Sequence, residues 1–192
     1  MERRLELNTV ERAARGAEQL SKCLSRVDEA SVEALEDAIV GADRVFVMGA
    51  GRSMLELRCL TMRLMHLGFT AFVVGDTTTP AFRKGDLLLA GSGSGTTSGV
   101  VRVAEKAKSL GGTVAAITIK ADSPLGRIAD VVVTVPAYTD KEKYDGMDRP
   151  VLPGGSEFES SILFLGDAMV VPLGEKRSIS TDKPFDLHAN LE

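Results

Sequence analysis

The chain has 192 residues, with 23 basic against 27 acidic side chains and a net charge of −4. Apolar residues make up 44% and charged residues 26%, which excludes a disordered chain and predicts one domain spanning 1–192. The basic residues are scattered and outnumbered, and no apolar run approaches the roughly 20 residues of a membrane span, so neither a nucleic-acid nor a membrane partner is expected.

Apolar residues at Val10, Ala14, Ala17, Leu20, Leu24 and Val27 recur at helical spacing, and Val32, Leu35 and Ile39 mark a second helix over 31–40, with Gly41 as its C-terminal cap. Together they make an N-terminal helical segment, 6–40. From residue 44 the pattern changes to short, wholly apolar strands at 44–48, 70–74, 86–90, 113–118 and 130–135. Such strands have no solvated face, which predicts a parallel sheet covered on both sides. Helices are predicted between them at 52–67 and 96–110, with a shorter turn at 123–129. The fold class is therefore an α/β three-layer sandwich. A proline- and glycine-rich stretch, 136–155, is long enough to suggest a functional loop, a reading that extends to a lid role for Tyr138 and Tyr144. A last helix is predicted over 156–171, stopping at Pro172, followed by a polar tail, 173–192.

Two cysteines, Cys23 and Cys59, stand in no metal or redox spacing, and two histidines, His66 and His188, are too few for a histidine-rich metal site. The N-terminus lacks the apolar core of a signal peptide. A cytoplasmic protein without a metal is the expectation.

Chemistry is suggested where a strand runs into small residues and then a helix. Gly49-Ala50-Gly51-Arg52-Ser53 follows the first strand, and Gly91-Ser92-Gly93-Ser94-Gly95-Thr96-Thr97-Ser98 follows the third. Glycines let the backbone N–H groups approach a ligand, the helix start adds free donors and a positive dipole end, and Ser92, Ser94 and Thr97 add hydroxyls; together these make a phosphate cradle. No Gly-Lys pair exists for a P-loop, and neither loop holds Gly-x-Ser-x-Gly in register for a nucleophile elbow. A dinucleotide site would want a small residue in place of Met54, although Asp76 could mimic its ribose acid. Glycine serving turn geometry alone is the remaining alternative for each loop.

At these residues the sequence resembles the sugar isomerase (SIS) domain, and within it the 6-phospho-3-hexuloisomerase family of formaldehyde fixation and the ribulose monophosphate pathway. The resemblance is carried by Met62-Arg63-Leu64-Met65-His66-Leu67-Gly68-Phe69, Gly75-Asp76-Thr77-Thr78-Thr79-Pro80, Ser92-Gly93-Ser94-Gly95, Ser123-Pro124-Leu125-Gly126, Phe158-Glu159 and His188-Ala189-Asn190-Leu191-Glu192. It implies a flavodoxin-like strand order, 2-1-3-4-5, with the ligand at the switch point between strands one and three. It also implies interconversion of D-arabino-hex-3-ulose 6-phosphate and D-fructose 6-phosphate through a 2,3-enediol, with no cofactor. Gly51, Arg52, Ser53, Ser92, Gly93, Ser94 and Thr97 are then the substrate-binding residues. Glu159 is the enediol base, and His188 of a neighbouring subunit handles hydroxyl protons. Arg52 becomes a candidate for neutralising oxyanion or phosphate charge. The family usually forms homotetramers.

Each role has a plainer rival. Ser156-x-x-Glu159 fits a capping box, Arg52 could pair with Glu56 one turn on, His188 could be a solvated tail residue, and His66 reads as a packed histidine. Met54, Thr96, Gly166 and the break at Pro172 depart from the family pattern and bear on substrate choice. Another aldose–ketose phosphosugar isomerase of the same fold, or a sugar-phosphate-binding protein without turnover, stand as alternative functions.

Overall fold

A computed structural model describes residues 7–139, 149–179 and 187–191. Two helices come first, α1 (Thr9–Leu24) and α2 (Glu29–Gly41), then β1 (Val45–Met48), α3 (Gly51–His66), β2 (Ala71–Val73), β3 (Leu87–Gly91), α4 (Ser98–Ser109), β4 (Thr113–Thr118), α5 (Pro124–Ile128), β5 (Val131–Thr134), α6 (Ser156–Ala168) and α7 (Val170–Lys176). The five strands form one parallel sheet in the order β2-β1-β3-β4-β5. The predicted three-layer α/β sandwich and its strand order are borne out.

Alternation along the strands explains why their central residues are apolar, with threonine only at the ends of β4 and β5. Val45, Val47, Leu87, Leu89, Ala115, Ile117 and Val133 point to one face, where they meet Leu35 and Ile39 of α2, Leu57 and Leu64 of α3, and Ile162 of α6. Phe46, Leu88, Ala90, Val114 and Ala116 point to the other, against Val100, Ala104 and Ala107 of α4 and Leu125 of α5. Both faces are buried, so neither half of the alternation is free to be polar.

The connection from β1 to β2 passes through α3 on the first face, whereas that from β3 to β4 passes through α4 on the second. Strands β1 and β3 are hydrogen-bonded neighbours, with Met48 opposite Ala90. Their carboxyl ends therefore open between two helices that leave in opposite directions, the crevice in which such sheets bind ligands.

Three local expectations are corrected. Gly41 is the last residue of α2 and takes no left-handed cap conformation; Ala42 follows in extended backbone. Pro172 does not end the helical chain: α6 stops at Ala168, and Pro172 sits in the first turn of α7, where its missing N–H costs nothing. The tail thus begins with Leu173 fully buried against the core rather than as a polar extension. Gly166 has a packing reason, because a Cβ there would stand 3.3 Å from the Cβ of Leu60 on α3.

Candidate active site

Three helix starts converge on one cleft of about 560 Å³, lined by Gly51, Arg52 and Ser53 of α3, by Ser92, Gly93, Ser94 and Thr97 before α4, and by Gly155, Phe158 and Glu159 at α6. None of these three helices has a side-chain N-cap, whereas α1, α2 and α5 are capped by Asn8, Asp28 and Ser123. No side chain takes the first-turn N–H groups of α3, α4 and α6, although that of Ser156 goes to the Pro153 carbonyl, and the dipoles of the three helices add positive potential where they meet.

The second loop is shaped by its own side chains. Ser92 is buried and its Oγ lies 3.0 Å from Thr97 Oγ1, so the N-cap threonine faces its loop partner instead of its own helix. Ser94 Oγ accepts from Thr96 Oγ1 at 2.9 Å. Gly95 has φ of 62°, and a Cβ there would lie 2.0 Å from Ser123 Oγ; no other residue fits the turn. The signature residues Ser92–Gly95 and Ser123–Gly126 are thus one packing unit.

Glu159 pairs with Arg52, Arg52 Nε to Glu159 Oε2 being 2.5 Å, across 107 positions of sequence. This hydrogen bond, followed by the charge of the carboxylate, holds the Arg52 guanidinium above its usual range. The capping-box reading is overturned: the N-cap of α6 is Gly155 at φ 92°, Ser156 is already helical, and no side chain caps the end. Glu56, the other partner foreseen for Arg52, adds only a minor attraction.

His188 is not in this cleft. Its ring stacks on His66 at 5.3 Å, at the far end of α3 from Arg52, roughly 21 Å away at 1.5 Å per helical residue. His66 is 9% exposed, and burial, then His188 and Arg63, hold it below the usual histidine range. It is the packed residue predicted. Tyr144 lies outside the described residues, and Tyr138 contributes its backbone N–H, donated to Glu157 at 2.7 Å. Met54 packs against the core instead of lining the cleft. Sequence reasoning missed Ile119, Thr139, Gly154, Gly155 and Phe158 as cleft residues. The Gly154–Gly155 pair and the Phe158-Glu159 signature were the sequence signals for them.

The SIS domain model matches residues 38–144. A 3-hexulose-6-phosphate isomerase of Bacillus subtilis is 38% identical over 97% of this chain and all of its own length, and one of Mycobacterium gastri is 45% identical over 91% and 87%. The chain belongs to the SIS-domain family of 3-hexulose-6-phosphate isomerases. Within that family, a Methanococcus jannaschii protein for which the crystal structure inferred the 3-hexulose-6-phosphate isomerase function superposes with a TM-score of 0.77 at 32% identity, covering 97% of this chain and all of its own. The SIS match ends before α6, so Glu159 and His188 lie in the part of the chain that only the full-length relatives span.

Proposed function

We propose that this chain interconverts D-arabino-hex-3-ulose 6-phosphate and D-fructose 6-phosphate at this cleft. The observation that carries the reading is the meeting of three helix starts without side-chain caps and a Glu–Arg pair in one cleft. The phosphate is held by Ser53, Ser92, Ser94 and Thr97 with the loop N–H groups around Gly51 and Gly93. The sugar then extends toward Glu159.

Glu159 takes the proton from C2. The C–H electron pair becomes the C2=C3 double bond, the carbonyl electrons move onto O3, and a proton on O3 completes the 2,3-enediol. Loss of the O2 proton re-forms a carbonyl at C2, and Glu159 returns a proton to C3. Electrons only move within the sugar, so the balance needs no external oxidant or reductant. Arg52 engages Glu159 through Nε, which leaves its Nη groups to donate to the developing oxyanion.

The hydroxyl protons require a second group, and His188 from a neighbouring subunit is its proposed source. Leu55, Met62, Phe164 and Val171, each about half exposed on α3, α6 and α7, offer an apolar surface for a second copy. Refolding Glu159→Gln and His188→Ala chains together should restore about a quarter of parental activity if sites are shared across a two-fold, and nothing if His188 acts within its own chain; a His188→Ala chain that is active by itself would remove His188 from the role. Among the described residues no helix is long and apolar enough to cross a membrane; the proposed location is the cytoplasm.

Proton NMR of fructose 6-phosphate with the protein in D₂O tests the reaction. Deuterium at C3, or signals of the 3-ulose, is the expected result. Exchange at C1 instead would move the activity to an aldose–ketose isomerase. Binding without exchange would make the protein a sugar-phosphate receptor.

A further inference from the structure

Helix α1 stands outside the sandwich core along most of its length, yet one face of it reaches the active-site loop. Arg12, Gly16 and Gln19 are spaced i, i+4, i+7 on that face, and all three act on residues 151 and 152. Gln19 Oε1 accepts the Val151 N–H at 3.0 Å, and Arg12 Nη1 donates to the Val151 carbonyl at 3.4 Å. Gly16 makes room for Leu152, whose Cδ1 lies 2.5 Å from the place a Cβ would occupy. Both backbone groups of Val151 and the side chain of Leu152 are therefore fixed by one helix face.

The pinned segment leads directly to the base. The Pro153 carbonyl accepts the Ser156 N–H at 3.2 Å and the Gly155 carbonyl accepts the Glu159 N–H at 3.0 Å, which closes the first turn of α6. Gly154 and Gly155 line the cleft, and two adjacent glycines have no side chains to hold themselves in place. We infer that α1 is a positioning element for Glu159: Arg12, Gly16 and Gln19 fix residues 151–152, and through them the start of α6. The inference rests on Glu159 being the base. Arg52 sets the carboxylate from inside the cleft, and α1 sets the backbone beneath it from outside.

Gly16→Ala discriminates this from a purely structural role, because alanine strengthens α1 as a helix while its methyl pushes Leu152 out of place. Its kcat is expected to fall about 10- to 100-fold, the effect of a misplacement of the order of 1 Å, with KM held within about twofold because the phosphate loops are untouched. Adding Leu152→Ala should recover most of the loss. Gln19→Ala should show the same split, and Gln19→Glu, which keeps an acceptor for the Val151 N–H, should restore kcat. An unchanged kcat in both Gly16→Ala and Gln19→Ala, or KM rising as kcat falls, would overturn the inference. Amide exchange separates it from the assignment of the reaction. Should the parent chain isomerise no phosphosugar, the catalytic reading fails, and unaltered exchange of the Ser156 and Glu159 amides in Gly16→Ala would sink the α1 inference independently; exchange about tenfold faster there, with α4 unchanged, would sustain it.

Discussion

Glu159→Gln is expected to lower kcat for the hexulose phosphate by about 10²- to 10⁴-fold, the usual worth of a positioned general base, while fructose 6-phosphate affinity changes by less than about threefold. The separation follows from the geometry. Glutamine keeps the shape and can still accept from Arg52 Nε, so the wall of the cleft stays in place. The loops after β1 and β3 that also line the cleft are unaltered, and in the proposed reading they supply most of the ground-state binding. What disappears is a group able to carry a proton between C2 and C3. Steady-state kinetics with a parallel binding titration reads both quantities, and persistence of turnover near the parental rate would remove Glu159 from the role of base.

The second large effect is on stability, at Asp86. This carboxylate is fully buried and accepts from Arg44 Nε at 2.8 Å, Arg44 Nη2 at 2.5 Å and the Arg83 N–H at 2.7 Å. Arg44 also donates to the Ala81 carbonyl and lies over the Phe46 ring. The cluster ties the start of β3 to the start of β1, the two strands that frame the cleft, and closes the turn that replaces a helix between β2 and β3. Asp86→Ala leaves a largely buried guanidinium unpaired and should cost about 3–5 kcal/mol, or a fall of roughly 6–20 °C in Tm for a chain of this length. Asp86→Asn retains an acceptor and should lose less. Both are read by thermal unfolding.

The same group gives a pH dependence. Burial alone would raise the Asp86 pKa, but the Arg44 hydrogen bonds, the Arg83 N–H and the nearby positive charges outweigh it and hold the carboxyl below its ordinary 3.8. Its folded pKa is thus lower than its unfolded one. The contribution is complete above about pH 4 and is lost as the pH falls through the lower folded value. Acid unfolding of the parent should therefore show a component below pH 4 that Asp86→Asn lacks.

Much of this was legible in the chain. Wholly apolar runs of three to four residues dictated strands buried on both faces, and β4 lies at the residues its pattern marked. The two Gly–Ser loops led to the expectation of an anion site, because such a composition brings backbone donors close to a ligand. The structure gathers them at the switch point, and the predicted binding residues all lie on its walls. Local patterns failed where one spacing served two purposes. Ser156 and Glu159 satisfy a capping box in sequence, yet Gly155 takes the cap and Arg52 takes the carboxylate. Nothing within the helix itself distinguishes these outcomes. Pro172 likewise read as a stop, although a proline in a first turn is harmless once a new helix begins just before it.

The sequence by itself determined the layers, the parallel sheet and the two glycine-rich loops at strand ends, because periodicity and glycine placement act over a few residues and leave few alternatives. Tertiary structure alone decided which carboxylate faces the cradle, that Arg52 meets it, that His188 stands at the far end of α3, and that α1 reaches the loop before α6. These join groups far apart in the chain, Arg52 and Glu159 by 107 positions. Such pairings depend on how whole helices dock on the sheet, which no local spacing encodes.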